Sequence, residues 1–145
     1  VFKNIIVVCT GNICRSPIAE YMLREKLAGR GFNISSAGVG AMVNWPADPP
    51  ACLVATANGL DMSAHRARQL TVELLTANDL VLTLDQSHSN WINSRHPQFR
   101  GRVHKILKWR ENKDVEDPYQ GPPSAFQTAY QDIELGISDW LKKLG

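Results

Sequence analysis

Cysteine is scarce in this sequence. Three residues in 145, an odd count, give no disulfide framework, so each thiol has to be read singly. There is no apolar run long enough to cross a bilayer and no leader of the secretory type, so stable membrane insertion is not expected and a reducing cytoplasm is the expected compartment. The chain begins at Val1 rather than Met, which implies a trimmed or processed start. Excess charge is also missing: Lys and Arg number 16, Asp and Glu 14, a formal balance of +2, too small to imply a nucleic-acid partner. A basic cluster, Arg95, Arg100, Arg102, Lys105, Lys108, Arg110 and Lys113, precedes the acidic Asp114, Glu116 and Asp117 and reads as a solvated surface around a short strand. No internal repeat or flexible linker marks a boundary. The length suits one domain over 1–145, able to bury about 68% of its unfolded surface.

What is present alternates. NIIVVC (residues 4–9) is a short β-rich run. SPIAEYMLREKLAGRG reads as a helix with Ser16 as its cap and Pro17 in its first turn, and Ile18, Met22 and Leu27 lie near one face before Gly29 and Gly31 stop it. FNISSAGVG predicts a second strand, PACLVATANGL a helix ending near Gly59, residues 72–76 another helix, Leu80 to Leu84 a third strand, and Gln86 the start of a further helix. Val103 to Leu107 predicts a fourth strand. In the last segment Phe126, Tyr130, Ile133, Ile137 and Trp140 recur by three or four, the signature of an amphipathic helix. Four strands alternating with helices imply an α/β fold, a Rossmann-like three-layer sandwich with a central four-stranded parallel sheet, whose ligand site lies beyond the carboxyl ends of the strands.

The loop between the first strand and the first helix carries the chemistry. Cys9 stands where the strand ends and Arg15 follows after five residues. Amide N–H groups from Thr10, Gly11, Asn12, Ile13, Cys14 and Arg15 can curl around a tetrahedral anion at a helix N-terminus. Such surroundings favour the thiolate form of a cysteine and make it a nucleophile, and an Arg fork can hold two phosphoryl oxygens. Attack on phosphorus by Cys9 with expulsion of an alcohol, followed by water, is a reaction that uses all of these. Asp117, from a loop able to approach the same strand ends, is the candidate proton donor and later base, although an Asp-Pro pair often only makes a turn. A nucleotide-binding P-loop is disfavoured because Arg15-Ser16 stands where Lys-Ser/Thr belongs. Structural zinc is disfavoured because Cys9 and Cys14 lack a second Cys/His pair, and no metal is expected. The four residues between those cysteines exceed the two of a thioredoxin-like site, while a Cys9–Cys14 disulfide in a curled loop stays geometrically open.

CTGNICRSP together with DPY resembles the low-molecular-weight protein tyrosine phosphatase family, and the likeness runs on through SSAG, HRARQL, DLVLTLDQSH and EDPY to the last helix. The resemblance implies Cys9 as nucleophile, Arg15 as phosphate clamp and Asp117 as acid/base, with no cofactor. It places Asn12 as a tie within the phosphate loop, Gly11 at an unusual backbone angle, and Ser16 as a hydrogen-bond donor to Cys9. Ser36 and His65 fall at supporting positions, though His65 can equally just cap HRARQL. Cys14 is either a packing residue or, as the resemblance suggests, a reversible disulfide partner protecting Cys9. Tyr119, with Met42 or Trp45, is expected to wall a pocket deep enough to select phosphotyrosine, and Trp45 can instead pack inward as a loop anchor. Asp85 reads as a polar neighbour of the site or as a helix cap. Leu84 departs from the Met usual in the family. VVCTGNICRSPIAE and SSAGVGA look most like bacterial members associated with capsule or exopolysaccharide export, which implies as partner a phosphotyrosine protein, a membrane-bound tyrosine autokinase of polysaccharide assembly. Two alternatives stand beside hydrolysis: arsenate reduction on the same scaffold, which needs relay cysteines absent after Cys52, and a phosphate-recognition module without turnover, which the joint presence of Cys9, Arg15 and Asp117 disfavours.

Overall fold

Four consecutive β-branched residues, stiff at χ1 and suited to extended backbone, form most of β1 (Asn4–Cys9), and five of its six positions are buried. That burial is what a parallel strand covered on both faces requires. In the computed structural model, which describes residues 2–144, β1 pairs in parallel with β2 (Asn33–Gly38) on one side and with β3 (Leu80–Thr83) on the other, and β3 pairs in parallel with β4 (Val103–Lys105). The sheet order is β2-β1-β3-β4. Val1 and Gly145, the two ends of the expected 1–145 domain, lie outside the described residues.

The crossovers are α1 (Arg15–Lys26), α2 (Pro49–Ala57) with α3 (Val72–Ala77), and α4 (Gln86–Arg95) with a 3-10 turn over Pro97–Arg102; α5 (Pro123–Leu144) closes the chain. Because side chains alternate along a strand, Ile5, Val7 and Cys9 join a core with Ile18, Met22, Phe126, Ile133 and Trp140 on one face, whereas Ile6 and Val8 join Leu75, Ile92 and Phe99 on the other. The result is a three-layer sandwich around a parallel four-stranded sheet. The chain leaves β1 toward β2 and returns past it to β3, so the loops after β1 and β3 part and open a crevice at the strand ends. Cys9 is the residue that β1 delivers there.

Three expectations are corrected. Helix α1 starts at Arg15 with Cys14 in the cap position and no side-chain cap, so Ser16 lies inside the helix and its hydroxyl is free for another partner. β4 stops at Lys105, because the Lys105 carbonyl turns to accept from Lys108 N–H at 3.1 Å, while the Ile106 carbonyl takes the Trp140 indole N–H at 3.1 Å. The basic cluster is not simply solvated: buried Lys105 pairs with Asp114 at 2.7 Å, Arg102 donates to the carbonyl ending α3 at Asn78, and Arg110 forks onto Asp139. Among the described residues no helix is long and apolar enough to cross a membrane.

Gly136 in α5 faces Ile106, and a Cβ there would stand 2.7 Å from the Ile106 carbonyl oxygen. Alanine is ordinarily the better helix former by about 1 kcal/mol. Because the Trp140 indole holds that carbonyl, Gly136→Ala is expected instead to destabilise the fold by about 1–3 kcal/mol, read as a lower urea midpoint at unchanged slope.

Candidate active site

After β1 the chain makes a tight loop, residues 10–14, whose peptide planes all face one way. The carbonyls of Cys9, Thr10, Gly11 and Ile13 accept from the backbone N–H groups of Val39, Gly40, Met42 and Asp48 at 2.8–3.0 Å. The Asn12 carbonyl accepts from His65 Nε2 at 2.7 Å. With five successive carbonyls bonded outward, the intervening N–H groups turn inward, and those of residues 10–14 find no partner among the described residues. Converging unpaired N–H groups at the start of a helix form an anion cradle.

Asn12 makes the turn possible. Its φ of 60° is left-handed, a conformation that costs an L-residue about 1–2 kcal/mol and that Asn tolerates best after Gly. The unusual angle therefore falls on Asn12, not on Gly11 as expected. The orientation of the Asn12 amide is fixed by Arg68 N–H, which donates to Oδ1 at 3.0 Å, so both protons of Nδ2 are donated, one to Ser16 Oγ at 2.7 Å and one to Ser36 Oγ at 3.0 Å. Each serine oxygen, already accepting, has one further partner. Ser16 Oγ is hydrogen-bonded to Cys9 Sγ at 2.8 Å, and Ser36 donates to Glu20 Oε1. Glu20 is buried and paired to Arg24 at 2.6 Å. His65 must carry its proton on Nε2; burial pushes its pKa down against the opposing pull of the Asn12 carbonyl and Glu20, so the ring is a neutral prop. β2 ends on Gly38 because a Cβ there would overlap the Thr10 carbonyl.

Arg15 is buried at 2% exposure. Its Nη1 donates to Asp85 Oδ2 at 2.9 Å and to the Val115 carbonyl at 2.6 Å, which uses both Nη1 protons. The Nε/Nη2 edge has no hydrogen bond among the described residues and is left to meet two oxygens of a tetrahedral anion. Asp85 is both the N-cap of α4 and the Arg15 holder: burial alone would raise its pKa, but hydrogen bonds from Ser87 and Arg15 and the positive charge of Arg15 carry it below the usual carboxylate value. Asp117 Oδ2 stands 3.8 Å from Arg15 Nη2, and its side chain is half exposed.

Cys9, Thr10, Gly11, Ile13, Cys14 and Arg15 line one cavity of about 260 Å³, closed on its other side by Asp117, Tyr119, Met42 and Gly40. Asn12, expected in the phosphate-binding set, is not among the lining residues, its side chain pointing behind the loop to Ser16 and Ser36. Trp45, expected as a wall or as an inward anchor, is neither. It is 52% exposed and outside the cavity, while its backbone bridges Met42 and Ala67. Cys14 is buried with its thiol 3.6 Å from Asp48 Oδ2; burial first, then Asp48, push the thiol pKa far up. Cys9, Cys14 and Cys52 are free thiols. Glu20, Val115 and His88 were not foreseen. Glu20 has a sequence signal, since Ser16, Glu20 and Arg24 repeat by four along a helix that otherwise buries mainly apolar residues. A backbone carbonyl such as that of Val115 has none.

The sequence profile of the low molecular weight phosphotyrosine protein phosphatase matches residues 4–145. The chain belongs to that family. It is 39% identical over 143 residues to the low molecular weight protein-tyrosine-phosphatase Etp of Escherichia coli K12, covering 99% of this chain and 95% of Etp. Among solved structures, the tyrosine phosphatase Wzb from Escherichia coli K30 in complex with sulphate superposes with a TM-score of 0.95 at 41% identity over 100% of both chains. Vibrio vulnificus Wzb in complex with benzylphosphonate gives 0.93 at 36% identity over 99% of both. This phosphatase is a hydrolase of the cysteine-dependent tyrosine phosphatase type. The family's usual Met is here the fully buried Leu84, whose carbonyl holds Val115 N–H at 2.8 Å, a bond indifferent to the side chain.

Two outcomes follow from this geometry. Asn12→Ala removes three side-chain hydrogen bonds and leaves an L-residue without local help at φ 60°, an expected loss of about 2–4 kcal/mol; Asn12→Gly should recover about 1 kcal/mol of it, both read by denaturant unfolding. His88, fully buried, has its pKa lowered by desolvation to about 4. The unfolded chain, with an ordinary His value near 6.5, therefore binds more protons between those limits, so stability falls as pH drops from about 6.5 to about 4, by up to about 3 kcal/mol. Unfolding curves over that range should be flatter for His88→Gln.

Proposed function

We propose that this phosphatase hydrolyses phosphotyrosine in a protein substrate through a cysteinyl-phosphate intermediate formed on Cys9. The observation that carries this reading is the set of inward N–H groups with Cys9, Arg15 and Asp117 on one cavity. A phosphoryl group seated in the cradle meets Cys9 Sγ at its floor. The S–P bond forms as the P–O bond to the tyrosine oxygen breaks. The N–H groups and the Nε/Nη2 edge of Arg15 take the equatorial oxygens, whose charge they stabilise through the transition state. Asp117, at the mouth and within reach of the departing oxygen, donates the proton that neutralises the tyrosine phenolate, then as carboxylate takes a proton from the water that cleaves the S–P bond and releases phosphate. Tyr119 and Met42 offer an aromatic face and a thioether to the substrate ring. A cavity with its nucleophile at the floor suits the reach of phosphotyrosine over the shorter phosphoserine, and the binding of benzylphosphonate, an aryl-methyl phosphonate, by the Vibrio vulnificus relative agrees with a ring at this site. We assign the substrate to a membrane-bound tyrosine autokinase of polysaccharide export, on the sequence likeness to bacterial members of that type. Arsenate reduction is not favoured: Cys52 lies on α2 with its thiol toward the Ala47 carbonyl.

Phosphate release from matched phosphotyrosine and phosphoserine peptides in chelating buffer tests the reading, with the tyrosine peptide preferred by at least about tenfold. Cys9→Ser should bind phosphate without turnover, and full turnover would remove Cys9 as nucleophile. Asp117→Asn should slow poor leaving groups by roughly 10²–10⁴ and good ones far less; equal losses would refute the acid role.

A further inference from the structure

The first turn of α4 holds a residue more elaborate than its capping duty needs. Asp85 accepts from Ser87 and His88 N–H groups and His88 returns a bond to the Asp85 backbone, which makes a capping box with His in the place of the customary Glu or Gln. For that purpose an acceptor is enough, and His88 Nδ1 supplies it, taking Asp85 N–H at 3.2 Å. Because a backbone N–H can only donate, Nδ1 is unprotonated and the neutral ring carries its hydrogen on Nε2. That second nitrogen lies 2.9 Å from Thr10 Oγ1, and the ring is 0% exposed, so on the His88 side the bond has no competing water.

Thr10 follows the nucleophile and begins the anion cradle, and this is its side chain's one hydrogen bond among the described residues. The same Asp85 whose backbone sets the His88 tautomer grips Arg15 through Oδ2 at 2.9 Å. Two parts of the phosphoryl site, on either side of the crevice, are thus referred to one helix start.

We propose that His88 is a positioning residue for phosphoryl binding: acting through the Thr10 hydroxyl, it fixes the first residue of the phosphate loop relative to Arg15. This rests on the reading of the loop as a phosphoryl site. The relay needs a ring or amide with an acceptor on one side and an N–H on the other, which Glu at this position lacks and Gln provides.

The test compares Thr10→Val, His88→Ala, the double variant and His88→Gln in the whole chain. It reads inhibition by inorganic phosphate, kcat and KM on an aryl phosphate, and the thermal midpoint. Thr10→Val and His88→Ala are each expected to weaken phosphate inhibition by roughly 3- to 10-fold, the scale of one lost hydrogen bond. The double variant should lose no more than His88→Ala, and His88→Gln should regain most of the affinity. Thr10 is exposed and valine keeps its shape, so Thr10→Val carries the comparison even where His88→Ala unfolds. Parental phosphate affinity in Thr10→Val, losses that multiply in the double variant, or no recovery in His88→Gln would each overturn the proposal. Absence of phosphate release by the parent would instead overturn the proposed function.

Discussion

Everything at the site depends on five successive carbonyls, residues 9–13, being bonded away from the crevice. A peptide plane that commits its oxygen outward turns its N–H inward, so the cradle is a consequence of where the carbonyls find partners. Four of those partners are backbone N–H groups of the 39–48 segment and the fifth is His65. The cradle therefore exists before any anion arrives, and binding does not have to supply the ordering of the loop, which is the condition for electrostatic stabilisation to act at full strength.

Holding that backbone requires one residue in the left-handed region, and the chain uses Asn12 rather than glycine there. Glycine would relieve the local strain but tie nothing. The carboxamide instead makes three hydrogen bonds of fixed polarity, and because Arg68 N–H settles which end is oxygen, the direction of donation is determined from Asn12 to the Ser16 and Ser36 hydroxyls, with Cys9 Sγ 2.8 Å beyond Ser16 Oγ. Polar groups this deeply buried are tolerated only when each is satisfied, and the set closes on Glu20, whose charge is met by Arg24. On the opposite wall the same economy recurs. Arg15 commits one nitrogen to Asp85 and Val115, and its Nε/Nη2 edge has no hydrogen bond among the described residues.

Much of this architecture could be read from the chain. The β-branched run before Cys9, the three- and four-residue spacing from Phe126 to Trp140, and the alternation between them announce a parallel α/β sheet, and Cys9 followed by Arg15 at a helix start announces an anion site. The errors share a cause. Lys105 reads as surface because charged residues usually are, yet Asp114 lies across the turn to pair with it. Trp45 reads as a wall because aromatic side chains in site loops often are, yet its loop is anchored by backbone bonds that leave the ring outside. Gly11 reads as the strained position because glycine is the default residue there, and only the carbonyl pattern reveals that the strain falls one residue later.

Local sequence therefore determined the elements, their order and the kind of chemistry, because periodicity, turn residues and a cysteine at a strand end act over a few residues. The tertiary structure decided which polar atoms meet. The Asn12 amide is oriented by residue 68, Arg15 by residues 85 and 115, and Thr10 by residue 88. Those pairings join residues 56 to 100 positions apart in the chain and are set by how the segments beyond the strand ends pack together, a distance relation that no short-range pattern in the chain encodes.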